Sequence, residues 1–349
     1  MRIAITAIPP FDFNLSAIIF EGGDPDIRAY RDGRSWQVIR IGERLILTTI
    51  TSVGTVDEPR LAIELQSDRP ISTSEQRRAA NVVRRLFNLA FDLVPFYRDV
   101  QRDPVMARVT RRLRGLKSPR TQTVFEALVA SIIEQQISLS AAHSMERRVV
   151  KMFGRRLRVR DGRYYAFPTP QALASATPKR LRARGLSSRK IEYIRDMAKA
   201  IAEGRLDLER FRRCADTEVV IGELRRTRGI GRWTAELTVL RGMAALDVMP
   251  ADDLGLRRVI AHYYADDRRI GADEARAIAE RWGRWKGLAG YYLIVAASTG
   301  RRGLNDGSSD GGSYYGLMGQ SGYPMCRRQR PRGRAIPPRA PRQDSCRIS

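Results

Sequence analysis

Histidine is nearly absent from this chain of 349 residues: His143 and His262 are the only two, and neither stands near other ligand-type side chains. A zinc site or a histidine-based catalytic triad would be poorly supplied, so no metal is expected. Cysteine is almost as scarce. Cys214, Cys326 and Cys346 are odd in number and at no metal-ligand spacing, which excludes a disulfide framework and fits a reducing cytoplasm. Long apolar runs are missing too. Nothing reaches the roughly 18 residues that a membrane-spanning helix needs, and the opening residues lack a signal-peptide pattern, so the expectation is a cytoplasmic protein with no membrane partner.

Acidic residues are in deficit. Against 63 Lys+Arg there are 38 Asp+Glu, a net charge of +25 that favours a polyanionic partner such as nucleic acid or an acidic membrane surface, between which charge alone does not choose. Ten Arg and three Asp lie after residue 300, which leaves about +18 on the first 300 residues. The basic character therefore belongs to the folded part and not only to a tail.

What is present divides the chain into three. From residue 1 to about 70, short apolar runs (Arg2 to Ile8, Leu15 to Phe20, Trp36 to Ile41, Leu45 to Ile50, Leu61 to Leu65) alternate with turn-rich pieces such as Arg31-Asp32-Gly33, the pattern of a small antiparallel sheet. A helix from Glu75 to Leu93 closes this first domain, 1–95. Helical spacing then takes over across 96–298. Phe125, Leu128, Val129, Ile132 and Ile133 form one buried stripe. Ile191, Ile194, Ala198 and Ile201 form a second, Leu256, Val259, Ile260 and Tyr263 a third, and Ala275, Ile278, Ala279 and Trp282 a fourth. The segment 299–349 is rich in Gly, Ser, Pro and Arg and poor in aliphatics, so disorder is expected there. The fold class is α+β: an antiparallel sheet domain, a helical bundle split around a cleft, and a basic tail.

Two short features carry chemistry. Around Gly229-Ile230-Gly231 a helix ends near Arg226 and another begins at about Trp233, with two glycines flanking one aliphatic residue. Glycine lets the backbone take unusual φ and lets a phosphate come close, while the first N–H groups of the second helix point outward with a positive dipole end. A plain helix–helix corner would look the same. The second feature is Asp252-Asp253, 22 residues after Gly231 and immediately before an amphipathic helix. One of two acids there is expected to cap the helix, and capping is compatible with catalysis.

The run LRRTRGIGRWTAELTVLRG…DVMPADDLGLRRVI, with PRTQTVFEALVASIIEQQISLSAAHSMERRVVKMFG upstream and AERWGRWKGLAGYYL downstream, resembles the helix-hairpin-helix DNA glycosylase superfamily and its broad-specificity 3-methyladenine branch. The resemblance covers roughly residues 75 to 298, and the segment with Pro9-Pro10-Phe11-Asp12 is similar to the β domain this branch carries before its helices. It implies Asp253 as the catalytic carboxylate. It implies Gly229, Ile230, Gly231 and Thr234 as DNA-binding hairpin residues, Gln136 as the side chain entering the duplex where a nucleotide has been flipped out, and Trp233 as a border of the base pocket.

The implied reaction is excision of alkylated bases from double-stranded DNA by a monomer without a cofactor. Nucleophilic lysines that make some relatives lyases sit in the hairpin's second helix, and this chain has no lysine between Gly231 and Asp253. An iron–sulfur cluster would need four cysteines after the catalytic helix, where only two exist. Two positions depart from the pattern: Arg228 where many members have proline, and Tyr291, Tyr292 and Ile294 where some supply a tryptophan. The other readings are a non-catalytic DNA-binding protein, which gives no reason for a carboxylate at a DNA surface, and a glycosylase for a different lesion.

Overall fold

The computed structural model describes residues 1–300, so the stretch expected to be disordered lies, from residue 301, outside the described residues. The N-terminal part is a five-stranded antiparallel sheet in the order β1-β5-β4-β3-β2, with β1 Arg2–Thr6, β2 Arg28–Arg31, β3 Arg34–Ile41, β4 Arg44–Ser52 and β5 Arg60–Gln66. The register pairs Ile5 with Leu61, Ile63 with Ile50 and Ile46 with Ile39. These residues pack with Val82, Val83 and Leu86 of the helix Thr73–Leu86 and with Phe13, Phe20 and Phe87. The opposite face is also covered. Val38, Leu45 and Leu47 meet Leu157, Val159 and Ala166 at a two-stranded ribbon, β6 Arg156–Val159 with β7 Gly162–Tyr165. That second cover explains why β4 is buried at four successive positions, Leu45 to Thr48, and does not alternate there.

Two boundaries differ from the sequence reading. The run Leu15 to Phe20, expected as a strand, is a short helix Phe13–Ala17 continued by a 3₁₀ turn Ile18–Phe20. Asp12 starts it by accepting the Leu15 N–H at 2.9 Å, and the buried residues Phe13, Ala17 and Phe20 recur at helical spacing. The strand β2 takes its place in the sheet; with two arginines in four residues it has little apolar signature. The closing helix ends at Leu86, short of Leu93, because Asn88 turns left-handed (φ 53°) and the Leu89 N–H bonds back to the Arg84 carbonyl.

The helical part has two cores. One gathers Val124 to Val248, including the helices Val124–Glu134, Leu139–Phe153, Ser188–Ala202, Thr217–Arg225 and Arg232–Met243. The other joins Leu93 to Leu116 with Met249 to Ala296, so the chain leaves this core and returns to it. Asp253 stands just beyond the crossing from Val248 in one core to Met249 in the other. Among the described residues no helix is long and apolar enough to cross a membrane.

Lys117 ties the sheet domain to the helices. Its side chain is completely buried, donates from Nζ to the carbonyls of Ile8 (2.7 Å) and Leu89 (3.2 Å), and lies over the Phe11 ring. Burial pushes its ammonium down to about 8. Replacing it removes donors from buried carbonyls without supplying others. Lys117→Met should cost roughly 1–3 kcal/mol in urea unfolding, and a midpoint equal to wild type would show that the tie is dispensable.

Candidate active site

The hairpin is built from two helices with opposite capping. The first, Thr217–Arg225, is capped by Asp216, which accepts from the N–H groups of Glu218 and Val219, and it buries Val220, Ile221 and Leu224. Its end turns through Gly229 at φ 86°, where a Cβ would fall 2.3 Å from the Tyr193 ring. Ile230 then plugs into the core, and Gly231 starts the second helix, Arg232–Met243. That helix begins with no side-chain cap and no acid in its first turn, whereas Ser72, Thr123, Ser138, Ser187 and Asp216 all cap theirs. Among the described residues no side-chain cap meets its first N–H groups. Arg232, the cation at this end, is engaged: Nη2 meets Glu218 at 2.7 Å and Nε meets Glu236 at 2.8 Å, crosslinking the two hairpin helices.

The two glycines differ in what demands them. Gly229 is fixed from inside, by φ and by the ring beneath it. Gly231 has an ordinary backbone (φ −82°, ψ 174°), and a Cβ there would meet nothing within 4 Å. Among the described residues nothing requires glycine at 231.

From the hairpin the chain reaches Asp253 through a loop. Ala244 ends the second helix in a left-handed turn (φ 58°), and the segment that follows rests on Gly287, where a Cβ would strike the Val248 carbonyl at 2.4 Å. The Gly287 N–H donates to Leu246 O and the Asp253 N–H to Pro250 O. Asp253 is itself the cap of the helix Leu254–Tyr264: Oδ1 accepts the Leu256 N–H at 2.8 Å. Its other oxygen, Oδ2, accepts the Trp233 indole N–H at 3.2 Å. The carboxylate is thus held by two donors on two elements and remains half-exposed. Asp252 points elsewhere, into an ion pair with Arg276 at 2.8 Å. Of the adjacent acids, the capping one and the one facing the hairpin are the same residue.

Gln136 is exposed at the tip of the turn after Val124–Glu134, with φ 59°. Thr234 is buried; its hydroxyl accepts from Gln135 Nε2 at 2.9 Å, so its side chain faces the protein. Tyr292, one of the departures noted above, is fully buried and donates to the Leu116 carbonyl at 2.8 Å. Sequence reasoning missed Gln135, Lys190 and a charged cluster beside the hairpin. In that cluster Arg241 meets both oxygens of Glu134 at 2.8 Å and Arg28 lies 3.5 Å from Glu126, with His143 and Glu146 alongside. Arg241 follows Trp233 at i+8 on the same helix, the one hint that its stripe continues inward from Asp253. Burial pushes the Glu146 carboxyl up to about 7, with Glu134 and Glu126 adding to the rise against Arg28 and Arg241. Burial, reinforced by Arg241, Arg28 and Arg147, holds His143 down to about 4, so it is neutral at pH 7.

With fold and site in view, a likeness can be stated: residues 129–284 match the HhH-GPD superfamily of base excision DNA repair proteins. Among relatives it is similar to the DNA-3-methyladenine glycosylase of Bacillus subtilis, 29% identical over 74% of this chain and 84% of that one. It is also similar to DNA-3-methyladenine glycosylase 2 of Escherichia coli K12, 35% identical over 51% of this chain, an alignment that spans 60% of the relative's length. In three dimensions it resembles the 3-methyladenine DNA-glycosylase of Archaeoglobus fulgidus, with a TM-score of 0.75, 26% identity and coverage of 85% of this chain and 98% of that one.

Two outcomes follow from this geometry. Gly229→Ala should destabilise the protein by roughly 1–3 kcal/mol in thermal or urea unfolding, whereas Gly231→Ala should stay within about 0.5 kcal/mol of wild type; equal losses would show that both glycines are required by the fold. For Glu146, a folded value near 7 lies above the ordinary carboxyl range, so its contribution is present at low pH and lost as pH rises from about 4.5 through 7. Glu146→Gln should therefore raise the melting temperature at pH 8 and leave it nearly unchanged at pH 4, and an identical shift at both would contradict the assignment.

Proposed function

We propose that this chain is a monofunctional DNA glycosylase that hydrolyses the N-glycosidic bond of alkylated purines in duplex DNA, acting as a monomer with Asp253 as the catalytic carboxylate. The observation that carries the reading is the posture of Asp253: one oxygen caps a helix, the other receives the Trp233 indole N–H, and the group stays half-exposed one loop away from an uncapped hairpin helix. A cap can take a second indole donor, as Asp103 does from Trp282; what sets Asp253 apart is that its donor lies on the hairpin helix. The match of residues 129–284 to a base excision repair superfamily and the names of the relatives support the same activity.

The hairpin grips by its backbone. The N–H groups after Gly231 receive a phosphate of the damaged strand, and the missing Cβ lets it approach. Its neighbour Arg232 is occupied by two glutamates, so this grip reads charge and shape and no base sequence. A base within the duplex is out of reach, so it must be extruded, which costs a few kcal/mol and least where the pair is already weakened. Gln136 enters the gap.

Alkylation at a purine ring nitrogen leaves the base cationic. When the bond from C1′ to the base breaks, the electron pair goes to the base, which leaves neutral and needs no acid. Positive charge appears on the sugar. A carboxylate about 4 Å away stabilises it by roughly 4 kcal/mol at an effective dielectric near 20. Water then bonds to C1′, and its proton passes to Asp253 or to solvent, leaving an abasic sugar and an intact strand. The face of Trp233 also favours a cationic base over a neutral one, by about 0.5–2 kcal/mol.

Base release from methylated duplex tests the reading. Wild type should release methylated purines and leave strands that break only after alkali, while Asp253→Asn binds DNA and loses release by about two orders of magnitude or more. Binding without release by wild type, on methylated DNA and on a panel of other lesions, would make this a non-catalytic DNA-binding protein with Asp253 as a helix cap. Release of other lesions instead would move the substrate and keep the chemistry.

A further inference from the structure

The turn that carries Gln136 is held from two sides by side chains with no part in the chemistry above. Gln135 closes the helix Val124–Glu134, and its amide nitrogen donates both hydrogens to the hairpin: one to the Gly229 carbonyl at 3.0 Å, one to the Thr234 hydroxyl at 2.9 Å. Lys190, buried in the first turn of Ser188–Ala202, donates from Nζ to the Ile133 carbonyl at 2.7 Å, inside the last turn before Gln136. The same helix places the Tyr193 ring under Gly229 and Glu192 against Arg228. Three segments distant in sequence, near 133–136, 190–193 and 228–234, thus close into one ring of contacts.

The geometry points to Gln135 and Lys190 as positioning residues that fix the height of Gln136 against the phosphate-gripping backbone, so that gripping the strand and filling the gap are done by one rigid unit. This rests on the glycosylase reading above. Two features require such a frame. Gln136 adopts a left-handed conformation that glutamine does not favour, and such a backbone persists only where its surroundings over-determine it. The distance between the gripped phosphate and the inserted side chain also has to match the nucleotide that leaves, and an error of about 1 Å in placement is enough to cost orders of magnitude in rate. Lys190 has no carboxylate partner in this bond; it is spent on a main-chain carbonyl at the end of a helix, where a cation is favoured and where withdrawing it would free the turn.

The test is single-turnover base release from one methylated purine in two settings, fully paired and in an unpaired bubble, by wild type, Gln135→Ala, Lys190→Met and Lys190→Arg. Insertion matters only where a pair must be broken. The paired-to-bubble ratio of rates should fall about ten-fold in Gln135→Ala and in Lys190→Met, and Lys190→Arg, which keeps a donor, should recover most of it. Equal losses in both settings would overturn the inference in favour of a general structural role, and so would an unchanged ratio. If Lys190→Met does not fold, Gln135→Ala carries the expected loss and Lys190→Arg, which keeps a donor for the Ile133 carbonyl, serves as the control. A wild type that releases no base in either setting overturns the glycosylase reading itself, a pattern distinct from a changed ratio.

Discussion

The helix Leu254–Tyr264 would begin frayed without a side chain to receive its first N–H groups, and Asp253 supplies that acceptor with one oxygen. This bond sets the carboxylate's direction, and its other oxygen accepts the Trp233 indole N–H. Much of the surrounding structure serves to bring those two donors together. The loop from Ala244 to Asp252 can lie where it does because Gly287 has no side chain. The helix carrying Trp233 is packed so tightly along Val124–Glu134 that Gly242 sits 3.1 Å, measured from a would-be Cβ, from the Val124 backbone. Site and fold share the same bonds, so the acid does not depend on a flexible loop for its placement.

The division of the helical part into two cores gives that placement a purpose. One core contains the hairpin and the Gln136 turn; the other is assembled from segments on both sides of the first in sequence. Asp253 stands at the seam, with the acid on one body and the hairpin on the other. The sheet domain braces this arrangement from behind. Lys117 reaches it through two carbonyls, and Arg28 of β2 approaches Glu126 on the helix that leads to the Gln136 turn.

Legibility in the sequence followed the kind of interaction involved. The α+β class and the helical stripes were readable because burial repeats at the period of the element, as with Ile191, Ile194 and Ala198, buried on a helix whose Asp196 and Lys199 are exposed, whereas Val124–Glu134 is buried on all sides and not on one stripe. Leu15 to Phe20 misled, because a short apolar run does not distinguish strand from helix when its cap, Asp12, is overlooked. At the site, the glycine turn and the Asp pair announced themselves by composition and spacing. Gln135, Lys190 and the Arg241–Glu134 pair did not: their partners lie about 60 to 110 residues away, and no local pattern marks a polar side chain that bonds across the fold. Which of the two acids caps the helix was equally hidden, since either spacing suits a cap.

The central claim is electrostatic: the carboxylate of Asp253 faces a sugar on which positive charge develops. Affinity for duplex carrying a cationic pyrrolidine in place of the sugar, set against duplex carrying the neutral tetrahydrofuran analogue, measures that directly. Wild type should prefer the cation by on the order of 10²–10³-fold, and Asp253→Asn should lose the preference while holding the neutral duplex as before. A preference of the same size in both proteins would show that the cleft's charge comes from elsewhere and that Asp253 is only a cap.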